Sequence, residues 1–351
     1  MKKIFKLLSL SICAVIISVF FVGCSKNSSE QISFLNYGEN IDKETVKEFE
    51  KKYGIKVNIE TFDDMETMYQ KISKGAGQYD VILVSDALMP RMIKNNLVQK
   101  LNKDNIPNIS QMDEDYLNLK IDPNNKYSVP YMFGTVGLIY NKDVVKEKVD
   151  SWDILWNEKY KDKIFMFDTY RDTMGAALKK LGYSLNTKNP KEIEEAKDLL
   201  ISQRKLVNPI YGVDNGTTMI PSGESDINMI WSGEGLNLQD ENPNLVYVVP
   251  KEGANFWIDS LCIPHNAKNV EGAEKFINFV SDKESALRIA DEIGYTTPNK
   301  EARLEQPENV RNNPNAYMPK EIMDRCEIYT DFSSDVKRIY DDAWTQIKSD
   351  N

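Results

Sequence analysis

Histidine is almost missing from this chain: among 351 residues there is only His265, in the turn-like run Pro264-His265-Asn266. No Gly-x-Ser-x-Gly elbow is present either. A serine or cysteine hydrolase needs a base beside its nucleophile, so the expectation is that the protein is not an enzyme. Cysteine is scarce too, with Cys13, Cys24, Cys262 and Cys326 as the full set. No Cys/His spacing fits a metal centre, and no metal or cofactor is expected. Cys262 and Cys326 could form one bridge but no disulfide framework. Basic residues are outnumbered, 44 Lys and Arg against 54 Asp and Glu. Without the three lysines of the first 23 residues the balance falls from −10 to −13. Such a surface repels nucleic acid and anionic lipid and favours a cationic ligand. Internal repeats and low-complexity tracts are absent.

Only one long apolar run occurs, from Leu7 to Val22. Lys2, Lys3 and Lys6 precede it and Gly23-Cys24 close it. A positive start, an apolar core and a small exit residue form an export signal. Phe21-Val22-Gly23-Cys24 looks like the lipobox of bacterial lipoproteins, which places the lipid on Cys24. Residues 1–23 are then the signal peptide and 24–31 a polar, lipidated tether. The body stands on the outer face of the cell membrane or in the periplasm. An uncleaved anchor is the alternative, since the run is near the lower length for spanning, about 17 residues. About 325 residues remain, enough for two domains.

The body opens with a β-α-β-α-β order. Ile32–Tyr37 reads as a strand. Asp42 caps a helix with Val46, Phe49 and Tyr53 on its apolar face, and Gly54 stops it. Val57 and Ile59 alternate with polar neighbours as a second strand. Met65, Met68, Tyr69 and Ile72 follow helical spacing up to Gly75. The run Val81–Val84, after Asp80, suits a strand buried on both faces of a parallel sheet. A second α/β region holds strands at 164–167, 227–231 and 245–249 and a charged helix over 191–205. Helices dominate after Pro264. The class is α/β.

Ligands of open α/β sheets bind beyond the carboxyl ends of the strands. Tyr37 and Glu39 follow the first strand there, Ser85 and Asp86 the third, Asp168 to Asp172 another, and Trp231 another. In Phe256-Trp257-Ile258-Asp259, a strand would put Trp257 and Asp259 on one face. An indole beside a carboxylate suits an organic cation: the ring attracts it through its quadrupole and the carboxylate takes its N–H groups. The plainer readings are that Trp231 ends a buried strand, Tyr295 packs at a hinge and Ser85-Asp86 caps the helix after Leu88. Trp152, Trp156 and Trp344 read as core.

Several stretches carry a resemblance. They include Ser128-Val129-Pro130-Tyr131, Met229-Ile230-Trp231, Pro250-Lys251-Glu252-Gly253, Phe256-Trp257-Ile258-Asp259-Ser260-Leu261 and Ile293-Gly294-Tyr295-Thr296-Thr297-Pro298-Asn299. Together the chain resembles the bacterial spermidine/putrescine-binding proteins of polyamine ABC transporters, from about Ile32 to Lys348. The resemblance implies a two-lobed periplasmic-binding-protein fold of type II, with two α/β domains, a double-crossover hinge and a cleft between them. It implies lobes at 32–136 plus 260–303 and 137–259 plus 304–351. It implies an aromatic box of Trp231, Trp257 and Tyr295, with Tyr37 where the family has Trp. Asp259 and Asp172 match carboxylates for amines, and Glu39 and Ser85 match polar groups at one ligand end. Asp168 stands beside Thr169, which aligns with a family Asp. A C-terminal polar contact falls on Thr330 or Asp331. Asn40 and Ala87 fall where some members have Tyr. The expected partners are a polyamine and the membrane permease, for a monomer. Thiamine or another organic cation in the same cleft, or a sensor without transport, remain open alternatives. Cys24→Ser is expected to move the protein from the membrane fraction to the soluble one, read by fractionation and blotting.

Overall fold

The computed structural model describes residues 30–349 apart from Ala76 and Asp214. The signal, Cys13, Cys24 and most of the tether lie outside the described residues. The strands are β1 (Gln31–Tyr37), β2 (Lys56–Phe62), β3 (Val81–Ser85), β4 (Ser128–Asn141), β5 (Ile164–Phe167), β6 (Ile210–Gly212), β7 (Ile227–Trp231), β8 (Leu245–Val248) and β9 (Phe256–Cys262). They join in the order β2-β1-β3-β9-β4-β7-β5-β6, with β8 also on β4. β1 starts one residue earlier than expected, at Gln31.

Local signals act as expected in the first half. Asp42 accepts N–H bonds from Glu44 and Thr45 and caps helix Lys43–Tyr53, which Gly54 ends at φ +71°. Helix Met65–Ser73 turns Met68 and Ile72 inward. The parallel-sheet expectation for β3 needs correction. β3 pairs parallel with β1 but antiparallel with β9. Burial on both faces reports a central strand whatever its neighbours' direction, so a continuous apolar run cannot separate the two cases.

β4 and β9 tie the two halves together. The first part of β4, from Ser128, pairs antiparallel with β9; the part from Val136 onward pairs with β7 and β8. Core residues divide accordingly. One cluster gathers Trp152, Phe165, Tyr247, Tyr340 and Ile347. Two others cover opposite faces of the β1–β3 sheet, one with Phe34, Phe49 and Phe276, the other with Leu35, Ile82 and Met89. A smaller one joins Tyr116, Phe133, Phe256, Ile258 and Tyr317 at the crossover. Tyr116 stacks on Phe133 with centroids 4.1 Å apart. Each half thus has its own core, and the crossover strands and the C-terminal segment connect them; Asn255 bridges to Glu327 of that segment. Trp152 is buried, and its Nε1 donates to the Gly253 carbonyl at 2.9 Å. Trp156 and Trp344 are half-buried on the same core. Cys262 is buried, Cys326 partly so, and both are free thiols.

Phe133 lies under the crossover and is 1% exposed. Phe133→Ala is expected to cost about 3–5 kcal/mol. The drop would appear as a lower urea midpoint, read by circular dichroism.

Candidate functional site

Strand alternation builds the centre of the site. Phe256 and Ile258 point into the crossover cluster, so Trp257 and Asp259 take the other face. Register places Gly134 of β4 opposite Trp257 and Ser85 of β3 opposite Asp259. Gly134 is small for a reason: a Cβ there would sit 2.5 Å from the Trp257 ring and 2.5 Å from Ser232 Oγ. Tyr295 meets the Trp257 ring edge-on, with centroids 5.1 Å apart and planes at 76°. It also lies on Gly233, where a Cβ would fall 2.4 Å from the ring. Trp231 ends β7 and stacks on Phe167 at 4.5 Å. Ser232 follows it and accepts the Thr135 N–H at 3.1 Å. The Ser232-Gly233 corner therefore packs beside the Trp257 and Tyr295 rings, while Trp231 stacks on Phe167.

Carboxylates surround this region. Asp259 is 9% exposed, and burial pushes its pKa up to about 7. Asp86 donates its backbone N–H to the Ile258 carbonyl at 3.0 Å, and its Oδ1 accepts the Ala87 N–H at 2.7 Å. Its Oδ2 is buried without a partner. Burial, then the charge of Asp259, raises its pKa far above the carboxylate range. The helix Met89–Lys94 has no side-chain cap, so Asp86 does not cap it. Asp172 accepts from Thr169 Oγ1 at 2.5 Å and from Tyr329 OH at 3.0 Å. Burial raises its pKa, while these bonds and the charge of Arg171 act the other way. Trp257 Nε1 is also buried without an acceptor, and a protonated amine would offer it none.

Other expected residues stand further out. Tyr37 is 37% exposed, and its ring meets Phe62 edge-on at 5.5 Å. Glu39 is exposed and pairs with Lys43 at 3.1 Å. Asp168 is held by Lys348 at 2.8 Å, so its charge is already matched. Ser85 is half-buried beside Asp259. Thr330 donates to Asn186 Oδ1 and Asp331 pairs with Lys337 at 2.8 Å. Two residues escaped the sequence reading as site members. The Arg171 guanidinium lies over the rings of Tyr329 and Phe332, at 4.2 and 4.1 Å. Tyr329 arrives from more than 150 residues away to bond Asp172. The only hint was that Arg171 is the one base at a strand end.

The profile of bacterial extracellular solute-binding proteins matches residues 44–319. The chain belongs to that family. It is a solute-binding family of transporters rather than an enzyme family, and its members act outside the cytoplasm. Among relatives, the Escherichia coli spermidine/putrescine-binding periplasmic protein is 37% identical, over 92% of this chain and 93% of that one. The substrate-binding protein of a Streptococcus pneumoniae spermidine/putrescine ABC transporter superposes with TM-score 0.86 at 36% identity, over 91% and 99% of the two chains. A Treponema pallidum lipoprotein gives TM-score 0.80 at 25% identity, over 91% and 99%. The two-lobed α/β architecture is thus that of periplasmic binding proteins. Among the described residues no helix is long and apolar enough to cross a membrane.

Asp259 gives a clear test. Its pKa in the fold, about 7, lies above the ordinary aspartate value of 3.8. Between these values the native state holds a proton that the unfolded chain has lost, so the stability of the ligand-free protein falls as pH rises from about 4 to about 7. Asp259→Asn removes this penalty. It is expected to raise the ligand-free melting temperature at pH 8 relative to the parent, by the equivalent of a few kcal/mol at most, about 1.4 per pKa unit. Calorimetric melts of both proteins at pH 5 and pH 8 check it, and equal pH slopes would contradict it.

Proposed function

We propose that the protein is the capture component of a polyamine ABC importer, taking spermidine or putrescine in the cleft and delivering it to the membrane permease. The observation that carries this reading is the pair of buried carboxylates, Asp86 and Asp259, beside Trp257 and Tyr295. A buried charge needs a partner, and a flexible ammonium chain supplies one. Its methylenes, worth roughly 0.8 kcal/mol each when buried, lie against the rings. The rings add about 0.5–2 kcal/mol per cation. Micromolar affinity, about −8 kcal/mol, is within reach of these contributions after ordering costs. The names of the E. coli and S. pneumoniae relatives agree with this ligand class.

In this reading the ligand contacts are Tyr37, Glu39, Ser85, Asp86, Asp168, Asp172, Trp231, Trp257, Asp259 and Tyr295. Glu39 and Asp168 act from the rim, after exchanging their lysine partners. The lobes are 32–136 plus 260–303 and 137–259 plus 304–351, hinged at the β4–β9 crossover. Ligand favours the closed form to the extent that it bonds both lobes better when they meet. The closed monomer, tethered through lipidated Cys24, then docks on the permease.

The test is calorimetric titration of the purified protein in detergent with putrescine, spermidine and thiamine. Saturable binding of a polyamine and none of thiamine is expected. Affinity should also depend on pH at both ends. Below about 7 Asp259 is protonated and must release that proton to pair with an ammonium, so affinity rises with pH up to that value. Above about 10 the amines lose their charge and affinity falls. A flat profile from pH 5 to 8 would contradict the role of Asp259. Thiamine binding without polyamine binding would assign the cleft to another cation.

A further inference from the structure

The two ends of the β1–β3 sheet differ in charge. β1, β2 and β3 run parallel, so all three start at one end and finish at the other. Tyr37 and Ser85 stand at the finishing end, with the acidic cleft. The starting end lies about 20 Å away, the rise of a seven-residue strand. Lysines gather there. Lys47, Lys51 and Lys56 wall a recess of about 350 Å³ beside Gly54, where helix Lys43–Tyr53 stops. Lys52 holds its ammonium over the Tyr53 and Phe279 rings, 5.4 and 5.2 Å from their centroids. Lys275 is near enough to Glu30 to feel its charge. Lys268 is exposed beside Asn269, whose amide donates to Glu30 at 3.1 Å.

Acids at this end are fewer. Glu44 pairs with Lys47 at 2.5 Å, Glu50 with Lys56 at 2.8 Å and Glu271 with Lys275 at 2.7 Å. Arg288 takes Glu48 at 2.5 Å. Lys51, Lys52 and Lys268 have no carboxylate within ion-pair distance among the described residues. Three unmatched ammonium groups thus stand with one unmatched carboxylate, Glu30, on a chain where acids outnumber bases, 54 to 44.

The chain enters the fold at this same end. The Glu30 carbonyl accepts the Lys56 N–H at 2.7 Å, and β1 starts at the next residue. From Cys24 to Glu30 the backbone reaches about 20 Å at full extension. A lipid on Cys24 therefore keeps the lysine end close to the headgroups. Screening limits charge effects to about 8 Å in physiological salt, so the lysines act on the membrane by settling onto it.

We propose that the lysine end of the β1–β3 sheet is a docking surface for anionic phospholipid, on which the anchored protein rests with its cleft turned away from the membrane. The proposal rests on reading Cys24 as lipidated. Charge selects the partner: anionic lipid repels the acidic remainder of the surface and attracts this end. With so few unmatched lysines the contact is weak and salt-sensitive, and the protein can leave it for the permease. The cleft, at the other end of the strands, faces the space from which solute arrives.

Lysine acetylation, read residue by residue by peptide mass spectrometry, tests this on the full mature protein held in vesicles by its own lipid. The vesicles are phosphatidylcholine alone or with about a third phosphatidylglycerol. Lys51, Lys52 and Lys56 are expected to react about three-fold or more slowly on the anionic vesicles in about 0.1 M salt. About 1 M salt, where the Debye length is about 3 Å, removes the difference. Lys188 and Lys191, exposed on the other half, react alike on both vesicles. Lys51→Gln combined with Lys52→Gln abolishes the protection of Lys56 and leaves polyamine binding unchanged. Equal rates on the two vesicles, with lipid on Cys24 shown by mass, would overturn the docking surface and leave the anchor intact. So would equal protection by inorganic phosphate on phosphatidylcholine alone, which would make the recess a site for free phosphate. A mature protein whose Cys24 carries no lipid would overturn both.

Discussion

Two carboxylates buried side by side, Asp86 and Asp259, set the terms for the rest of the structure. Each is held where water cannot solvate it, and neither has an ion-pair partner among the described residues. A fold keeps such groups only if the surrounding packing fixes them strongly, because each costs several kcal/mol when charged. The ligand-free protein answers by retaining protons. A bound ammonium ligand offers the alternative of charge pairing. Stability of the empty protein and affinity for a cation are therefore opposed at the same two residues.

The packing that holds them is the antiparallel crossing of β4 and β9. Because both strands pass from one core to the other, the residues on their cleft face stand at the junction of two independent hydrophobic bodies. Glycines 134 and 233 let the Trp257 and Tyr295 rings approach that junction closely, and larger residues would push them out. The apolar underside of β9, Phe256 and Ile258, sinks into the crossover cluster with Phe133. The same alternation that anchors the strand thus turns Trp257 and Asp259 to its other face.

Much of this was legible in the chain. The 2-residue period put Trp257 and Asp259 on one face, as β9 does, since a strand leaves no choice of face. Asp42, Gly54 and the Met65–Ile72 spacing set their helices because capping and helical periodicity are local. β3 was legible as a buried strand but not as a mixed one, since burial is the same on either pairing. Asp86 read equally well as a helix cap; only the fold shows its Oδ2 left without a donor. Asp168 and Glu39 looked like free acids, and their lysine partners could not be foreseen, because Lys348 is 180 residues away from Asp168.

Sequence by itself determined the class of the protein: the α/β periodicity and the ordered stretches shared with solute-binding proteins place it in that family. Those properties are set by composition and by contacts within a few residues. The tertiary structure alone decided which charges stay unmatched. Pairing depends on what long-range packing brings within reach, as when Tyr329 closes on Asp172 and Lys348 on Asp168. No local pattern encodes those distances.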